Sequence, residues 1–98
     1  MTNHTINAGL QIVPLQKSRD ALQAIDRAIE VIQKSGLKHQ VTPMETVIEG
    51  GYDEVMDIIK KAQQAALKAG AAELVVNIRL HLKKDMSVSF EEKTAKFN

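Results

Sequence analysis

The order in which two hydrophobic periods follow one another limits the fold of this 98-residue chain more than any other feature of its sequence. In Leu74–Leu82 every second residue is apolar, as in a strand with one buried face. Two other segments place apolar residues at steps of three and four, as in amphipathic helices. The predicted elements are, in order, strand Gly9–Leu15, helix Arg19–Ser35, strand Leu37–Thr42, strand Glu45–Gly50, a helix that begins at Asp53 and stops at Gly70, and strand Leu74–Leu82.

This βαββαβ order predicts a ferredoxin-like α+β sandwich, in which a four-stranded antiparallel sheet carries both helices on one face. Residues 1–98 are expected to form a single domain with a core at about 9–83. The C-terminal tail, 84–98, alternates weakly around Val88 and Phe90 and is expected to add a short edge element.

Local signals support both predicted helices. Ser18 and Asp53 are typical N-cap residues, and Gly36 and Gly70 stand where a left-handed backbone ends a helix. The apolar face of Leu74–Leu82 is expected to pack against the helices. The other face of the sheet carries mixed residues and stays uncovered, which predicts self-association through sheet faces or edges.

Composition excludes several classes of function. Lys and Arg number 13 against 12 Asp and Glu, so the positive field of a nucleic-acid or membrane-surface binder is not expected. Without cysteine the chain has no disulfide, thiolate metal site or thiol nucleophile. His4, His39 and His81 lack the spacing of a metal site, and no cofactor is expected. The N-terminus lacks signal-peptide features and no apolar run is long enough for a membrane helix, which predicts a cytoplasmic protein.

The segment Thr42–Gly50 concentrates side chains that could recognise a ligand. Thr46 could donate and accept a hydrogen bond, and Glu49 could pair with a cationic or amino-heterocyclic group. Residues three apart lie on opposite faces of a regular strand, so one ligand could reach both only at a bend near Gly50 or between two subunits. A hairpin with polar outward positions and no ligand is the alternative interpretation.

Several motifs resemble those of the thiamine-binding protein family of small ferredoxin-like domains. The resemblance runs from about residue 10 to residue 95 and rests on Gln11–Leu15, Ser35–Lys38, Thr42–Met44 and Thr46–Gly50. It implies a ferredoxin-like fold, homo-oligomers that are dimers or more often tetramers, and binding of thiamine or its hydroxymethylpyrimidine moiety without catalysis. The cationic thiazolium and the aminopyrimidine of thiamine suit carboxylate and hydroxyl partners.

The expected ligand contacts are Thr46 and Glu49, with Met44 as an apolar wall and Asn77 and His39 as further contacts from neighbouring strands. Alanine at Glu49 is expected to weaken the binding of cationic ligands and to leave the melting temperature nearly unchanged.

Three positions depart from the family pattern. His39 stands where the family often has Tyr, Glu45 stands where it often has Gly, and Lys83–Met86 stands in place of a basic Arg-Asp-Lys segment. These changes bear on the ligand rather than on the fold.

Two other functions remain open from the sequence. An interaction module without a ligand would use the uncovered sheet face and Leu74–Leu82 to assemble subunits, and Val75→Asp would then disrupt the assembly. An acylphosphatase-type enzyme would need a glycine-rich anion cradle after the first strand, and Lys17–Arg19 lacks the glycines.

Overall fold

The computed structural model describes residues 4–15 and 19–97. Its elements are β1 (Thr5–Pro14), α1 (Arg19–Lys34), β2 (Lys38–Val41), β3 (Thr46–Gly51), α2 (Tyr52–Lys68), β4 (Leu74–His81) and α3 (Phe90–Thr94), with a 3-10 turn at Ala95–Phe97. The strands form one sheet in the order β2-β3-β1-β4, and every neighbouring pair is antiparallel. This arrangement confirms the predicted ferredoxin-like α+β fold.

The hydrophobic core lies between α1, α2 and one face of the sheet. Alternate residues of β1 point into it, and Ile6, Ala8 and Leu10 are buried there beside Ile48 of β3. The helices bring small buried side chains to the same core, namely Ala24, Ala28, Ala62 and Ala66. Small side chains at these positions let the helices pack closely against each other and the sheet.

The sheet face turned away from α1 and α2 is the open face. Cross-strand partners point to the same side of a sheet, so the register assigns the residues of this face. They are Asn7, Gly9, Gln11 and Val13 of β1, Lys38 and Gln40 of β2, Val47 and Glu49 of β3, and Val75, Asn77, Arg79 and His81 of β4. The open face therefore carries both acidic and basic side chains.

The predicted start of the first strand is wrong. β1 begins at Thr5 rather than at Gly9, and its additional residues pair with both β3 and β4. The earlier start was not predicted because Asn7 is polar and lies between the apolar residues Ile6 and Ala8. Such a pattern does not indicate a strand that is buried on both faces. The core therefore begins earlier in the chain than residue 9.

The second helix begins at Tyr52 with Gly51 as its N-cap, so the predicted N-cap Asp53 is wrong. Asp53 lies in the first turn instead, where a carboxylate interacts favourably with the positive end of the helix dipole. The predicted N-cap of the first helix, Ser18, lies outside the described residues. The predicted left-handed glycines are confirmed by the φ angles of +80° at Gly36 and +123° at Gly70.

Replacing Gly36 with alanine is expected to lower the free energy of unfolding by about 1–2 kcal/mol, because a Cβ disfavours positive φ. No heavy atom lies within 4 Å of the added Cβ, so the cost comes from the backbone rather than from a clash. Urea denaturation measures the effect, with Gln64→Ala on the exposed side of α2 as the control. An unchanged unfolding midpoint would contradict the left-handed conformation.

The outer edge of the sheet is formed by β4, whose apolar face is only partly covered. Leu74 and Val76 pack against the core, as predicted. The later apolar residues remain exposed, at 41% for Ile78, 36% for Leu80 and 42% for Leu82. The expectation that the whole face packs on the helices is therefore wrong, because α1 and α2 lie mainly over β1 and β3 and leave the later part of β4 uncovered.

The short element expected in the C-terminal tail is the helix α3. Val88 is fully buried, and its backbone N–H donates to the Thr5 carbonyl oxygen at 2.9 Å. Ser89 caps α3 in a capping box with Glu92. The hydrogen bond from the Ser89 backbone N–H, together with the nearby Lys83 ammonium, holds the pKa of Glu92 below its usual value.

Candidate functional site

The sheet separates the two principal predicted ligand contacts. Thr46 is buried on the helix side, where it pairs across the strands with Leu10 and Val41. Glu49 lies on the open face. β3 continues as a paired strand through Gly51, so no bend brings Thr46 and Glu49 together within one chain.

The other predicted contacts divide between the same two sides. Met44 is exposed in the link between β2 and β3, beside Thr46. His39 lies on the helix side of β2, with its ring Nδ1 2.8 Å from the Leu37 carbonyl oxygen. Asn77 lies on the open face and donates from Nδ2 to Gln11 Oε1 at 3.1 Å.

A cavity of about 390 Å³ lies on the helix side between α1, β1 and the β2–β3 hairpin. Its walls are mainly apolar side chains, such as those of Ile12, Ile25 and Ile29. The Thr42 hydroxyl at its rim is used locally, because it donates to the Glu45 carbonyl oxygen at 2.6 Å. This cavity therefore offers an apolar wall, with polar groups from Gln11, Glu45 and Thr46 beside it.

A second cavity, of about 340 Å³, lies on the open face, with α3 as one wall. It falls within the size range of small-molecule sites. Residues from four segments line it: Asn7, Ala8 and Gly9 of β1, Gln40, Glu45 and Val47 of the hairpin, Arg79, Leu80 and His81 of β4, and Phe90, Lys93 and Thr94 of α3. This cavity combines a carboxylate, an amide, basic groups and an aromatic ring.

The carboxylate of this cavity belongs to Glu45, which immediately precedes β3. It lies against the backbone of Gly9, where an added Cβ would be 2.6 Å from Glu45 Oε1. Arg79 Nη2 lies 3.3 Å from Glu45 Oε2. The Glu45 side chain is 25% exposed, whereas that of Arg79 is 85% exposed. The carboxylate therefore forms part of the floor, and the guanidinium lies at the rim.

Glu49 holds α3 against the sheet. Its Oε1 accepts hydrogen bonds from the Phe90 backbone N–H at 2.6 Å and from Asn7 Nδ2 at 3.0 Å. Lys93 Nζ donates to Asn7 Oδ1 at 2.8 Å, and Lys38 Nζ lies 3.5 Å from Glu49 Oε2. Asn7 is only 5% exposed, so these bonds satisfy a buried amide. Glu49 thus stands behind the cavity wall rather than among the lining residues.

Several lining residues were not singled out by the sequence. Asn7 could have been recognised, because it is a polar residue between the apolar residues Ile6 and Ala8. A polar side chain in such a segment needs hydrogen-bond partners from elsewhere in the protein. Phe90 and Lys93 are three residues apart and share one side of α3. No sequence pattern indicated that α3 would cross the open face.

The described residues contain neither a cluster of metal-ligating side chains nor a membrane-spanning helix. Among residues 4–15 and 19–97, no three His, Asp or Glu side chains converge as metal ligands. Within this described part of the chain, each helix is too short or too polar to cross a bilayer.

Comparison with known proteins identifies a protein family and several relatives of this chain. The family model described as thiamine-binding protein matches residues 8–98. A UPF0045 protein of Clostridium perfringens is 34% identical over 93 residues, covering 95% of this chain and 97% of the relative. A UPF0045 protein of Methanocaldococcus jannaschii is 31% identical over 86 residues, covering 88% of this chain and 85% of the relative.

Two solved structures share the fold closely. A domain of unknown function, DUF77, from Bacillus cereus has a TM-score of 0.91 and 37% identity, covering 97% of this chain and 91% of that chain. A candidate thiamine biosynthesis/salvage protein from Thermotoga maritima has a TM-score of 0.86 and 29% identity, covering 96% of this chain and 99% of that chain. With the family model matching nearly the whole sequence, this chain belongs to the thiamine-binding protein family.

Proposed function

We propose that this single-domain chain binds thiamine or hydroxymethylpyrimidine, without catalysis, as a cytoplasmic homo-oligomer. The observation that carries the proposal is the open-face cavity, in which the Glu45 carboxylate and the Phe90 ring lie in one cavity of about 340 Å³. Family membership and the description of the Thermotoga maritima neighbour point to the same class of ligand.

The chemistry of the open-face cavity suits both halves of thiamine. The cationic thiazolium is attracted by the Glu45 carboxylate and by an aromatic ring, and the aminopyrimidine can donate hydrogen bonds to an amide oxygen such as that of Gln40. The Phe90 ring already accepts such a contact, because Lys38 Nζ lies 5.6 Å from its centroid. Glu45 also lines the helix-side cavity, together with Gln11, Thr46 and Met44, but the described residues that line that cavity include no aromatic ring and no basic side chain.

The predicted contacts fit this proposal in different ways. Asn77 lies on the open face and could reach a ligand from the edge strand. Glu49 would act through the wall that it anchors. Thr46, Met44 and His39 could contact a ligand only from the helix side.

Self-association is proposed to use the outer edge of β4. Among the described residues no strand pairs with this edge, although β4 is eight residues long. Its neighbouring apolar side chains Ile78, Leu80 and Leu82 remain exposed. In a symmetric dimer, β4 of one chain could pair with β4 of a second copy, and each copy would cover the exposed apolar side chains of the other.

The proposed ligand site predicts that Phe90→Ala lowers the affinity for thiamine about tenfold, because the variant loses the ring wall. Isothermal titration of wild type and variant with thiamine and with hydroxymethylpyrimidine measures this effect. Phe97→Ala is the matched control, since Phe97 is exposed and does not line the cavity.

Two outcomes would count against the proposed site or the proposed function. Equal affinity in the Phe90→Ala and Phe97→Ala proteins would move the ligand to the helix-side cavity. Absence of heat and of a thermal shift with both ligands would favour the interaction module, in which the β4 edge alone carries the function.

A further inference from the structure

We propose that Glu45 selects ligands by charge, so that the open-face cavity prefers a ligand with a fixed positive charge over its neutral or phosphorylated counterpart. The inference rests on the proposed function and adds the class of ligand that the cavity takes. Glu45 was not among the ligand contacts predicted from the sequence, and it stands at a position where the family often has glycine.

The backbone of Glu45 is held by Thr42, so the direction of the side chain is well defined. The Thr42 hydroxyl donates to the Glu45 carbonyl oxygen at 2.6 Å and accepts from the Glu45 backbone N–H at 3.0 Å. The Thr42 backbone N–H donates to the same carbonyl oxygen at 2.9 Å. With both backbone groups of Glu45 bound, the side chain extends across the open face toward β1.

Gly9 provides the place where this carboxylate lies. The three heavy atoms nearest to an added Cβ at Gly9 all belong to the Glu45 carboxyl group, at 2.6, 3.0 and 3.3 Å. A side chain at position 9 would push the end of the Glu45 side chain aside. With glycine there, the carboxylate lies on the cavity floor, where partial burial strengthens its attraction for a cation.

The ion pair that Glu45 makes is one that a ligand can replace. Arg79 Nη2 lies 3.3 Å from Glu45 Oε2, and its side chain is largely exposed. An exposed pair of this kind contributes little to stability, because water screens the two charges. A cationic ligand on the floor would therefore displace the guanidinium at little cost.

The basic residues of the cavity, Arg79, His81 and Lys93, are exposed, whereas Glu45 is partly buried. Lys93 is held by its hydrogen bond to Asn7 Oδ1 at 2.8 Å. Arg79 and His81 project from the exposed edge strand β4. The carboxylate of Glu45 thus lies deepest among the charged groups, and a phosphate placed on the floor would be repelled by it.

The test compares thiamine, hydroxymethylpyrimidine and thiamine monophosphate by isothermal titration at pH 8, with wild type and with Glu45→Gln. The variant keeps the size and a hydrogen-bond acceptor but removes the charge. We expect its affinity for thiamine to fall at least tenfold and its affinity for hydroxymethylpyrimidine to change less than threefold. Thiamine monophosphate should bind the wild type more weakly than thiamine, and this difference should shrink in the variant.

Two further variants sharpen the test. Gly9→Ala keeps Glu45 but displaces its carboxylate, and should reproduce the loss of thiamine affinity. Glu73→Gln is the matched control, because it removes an exposed carboxylate that does not line the cavity. Thermal melts confirm that each variant is folded.

The possible results separate the two proposals. Wild-type protein that binds neither thiamine nor hydroxymethylpyrimidine would refute the proposed function and this inference with it. Wild-type protein that binds thiamine while Glu45→Gln binds it equally well would overturn the inference alone. An equal loss of affinity for the charged and the neutral ligand would also overturn it, because Glu45 would then contribute a contact and not charge selection.

Discussion

Replacing Glu49 with alanine is expected to lower the free energy of unfolding by about 2–3 kcal/mol and to release α3 from the open face. The carboxylate accepts hydrogen bonds from the Phe90 backbone N–H and from Asn7 Nδ2. Hydrogen bonds to charged groups contribute about 1.5–3 kcal/mol each, and a donor left buried without a partner adds a penalty. The ion pair with Lys38 adds little, because Lys38 is exposed.

This expectation replaces the one drawn from the sequence, which was that the melting temperature would hardly change. The sequence presented Glu49 as a polar position on a hairpin, whereas the tertiary structure makes it the anchor of the tail. A loss of about 2 kcal/mol corresponds to a fall in melting temperature of roughly 10 °C for a domain of this size.

Thermal and urea denaturation at one fixed protein concentration measure this effect, since the proposed assembly would make stability depend on concentration. Glu91→Ala is the matched control, because Glu91 also belongs to α3 but its side chain is largely exposed. Hydrogen exchange of the Phe90 amide reports release of the helix directly. If the Glu49→Ala and Glu91→Ala proteins had the same melting temperature and the same hydrogen-exchange rate at the Phe90 amide, Glu49 would not anchor α3.

The second large effect is expected at the β4 edge, where Ile78→Asp should convert the assembled protein into single chains. An aspartate in the exposed apolar row would place two carboxylates close together across a symmetric interface. Val75→Asp, on the open-face side of the same strand, should act in the same direction.

Size-exclusion chromatography with light scattering measures the assembly. Leu67→Asp is the control, because Leu67 is an exposed apolar residue of α2 away from this edge. An Ile78→Asp protein with the wild-type mass would show that the subunits meet elsewhere. Loss of assembly together with full retention of thiamine affinity would show that each chain binds its ligand alone.

The local features of the fold could be predicted from the sequence. The order of strands and helices follows from hydrophobic periods, and the ends of both long helices follow from Gly36 and Gly70, whose left-handed backbone is a property of single residues. The separation of Thr46 and Glu49 onto opposite faces also follows from their spacing, because side chains alternate along a strand.

The candidate site could not be predicted in the same way. Gly9, Glu45, Arg79 and Phe90 come from four segments, and only the strand register and the path of the tail bring them together. Register and tail docking depend on contacts between residues far apart in the chain, such as the bond from Phe90 to Glu49. A single sequence records each of these residues but not their long-range pairing.

The sequence by itself thus determined the order of the six main strands and helices, the C-terminal ends of α1 and α2 and the face on which each strand residue points, because these depend on neighbours within a few positions. Only the tertiary structure decided that β4 leaves Ile78 exposed at an edge, that the tail folds into α3, and that Glu49 anchors it. Those outcomes depend on which surfaces remain uncovered after the sheet and helices have packed, and local periodicity carries no information about that.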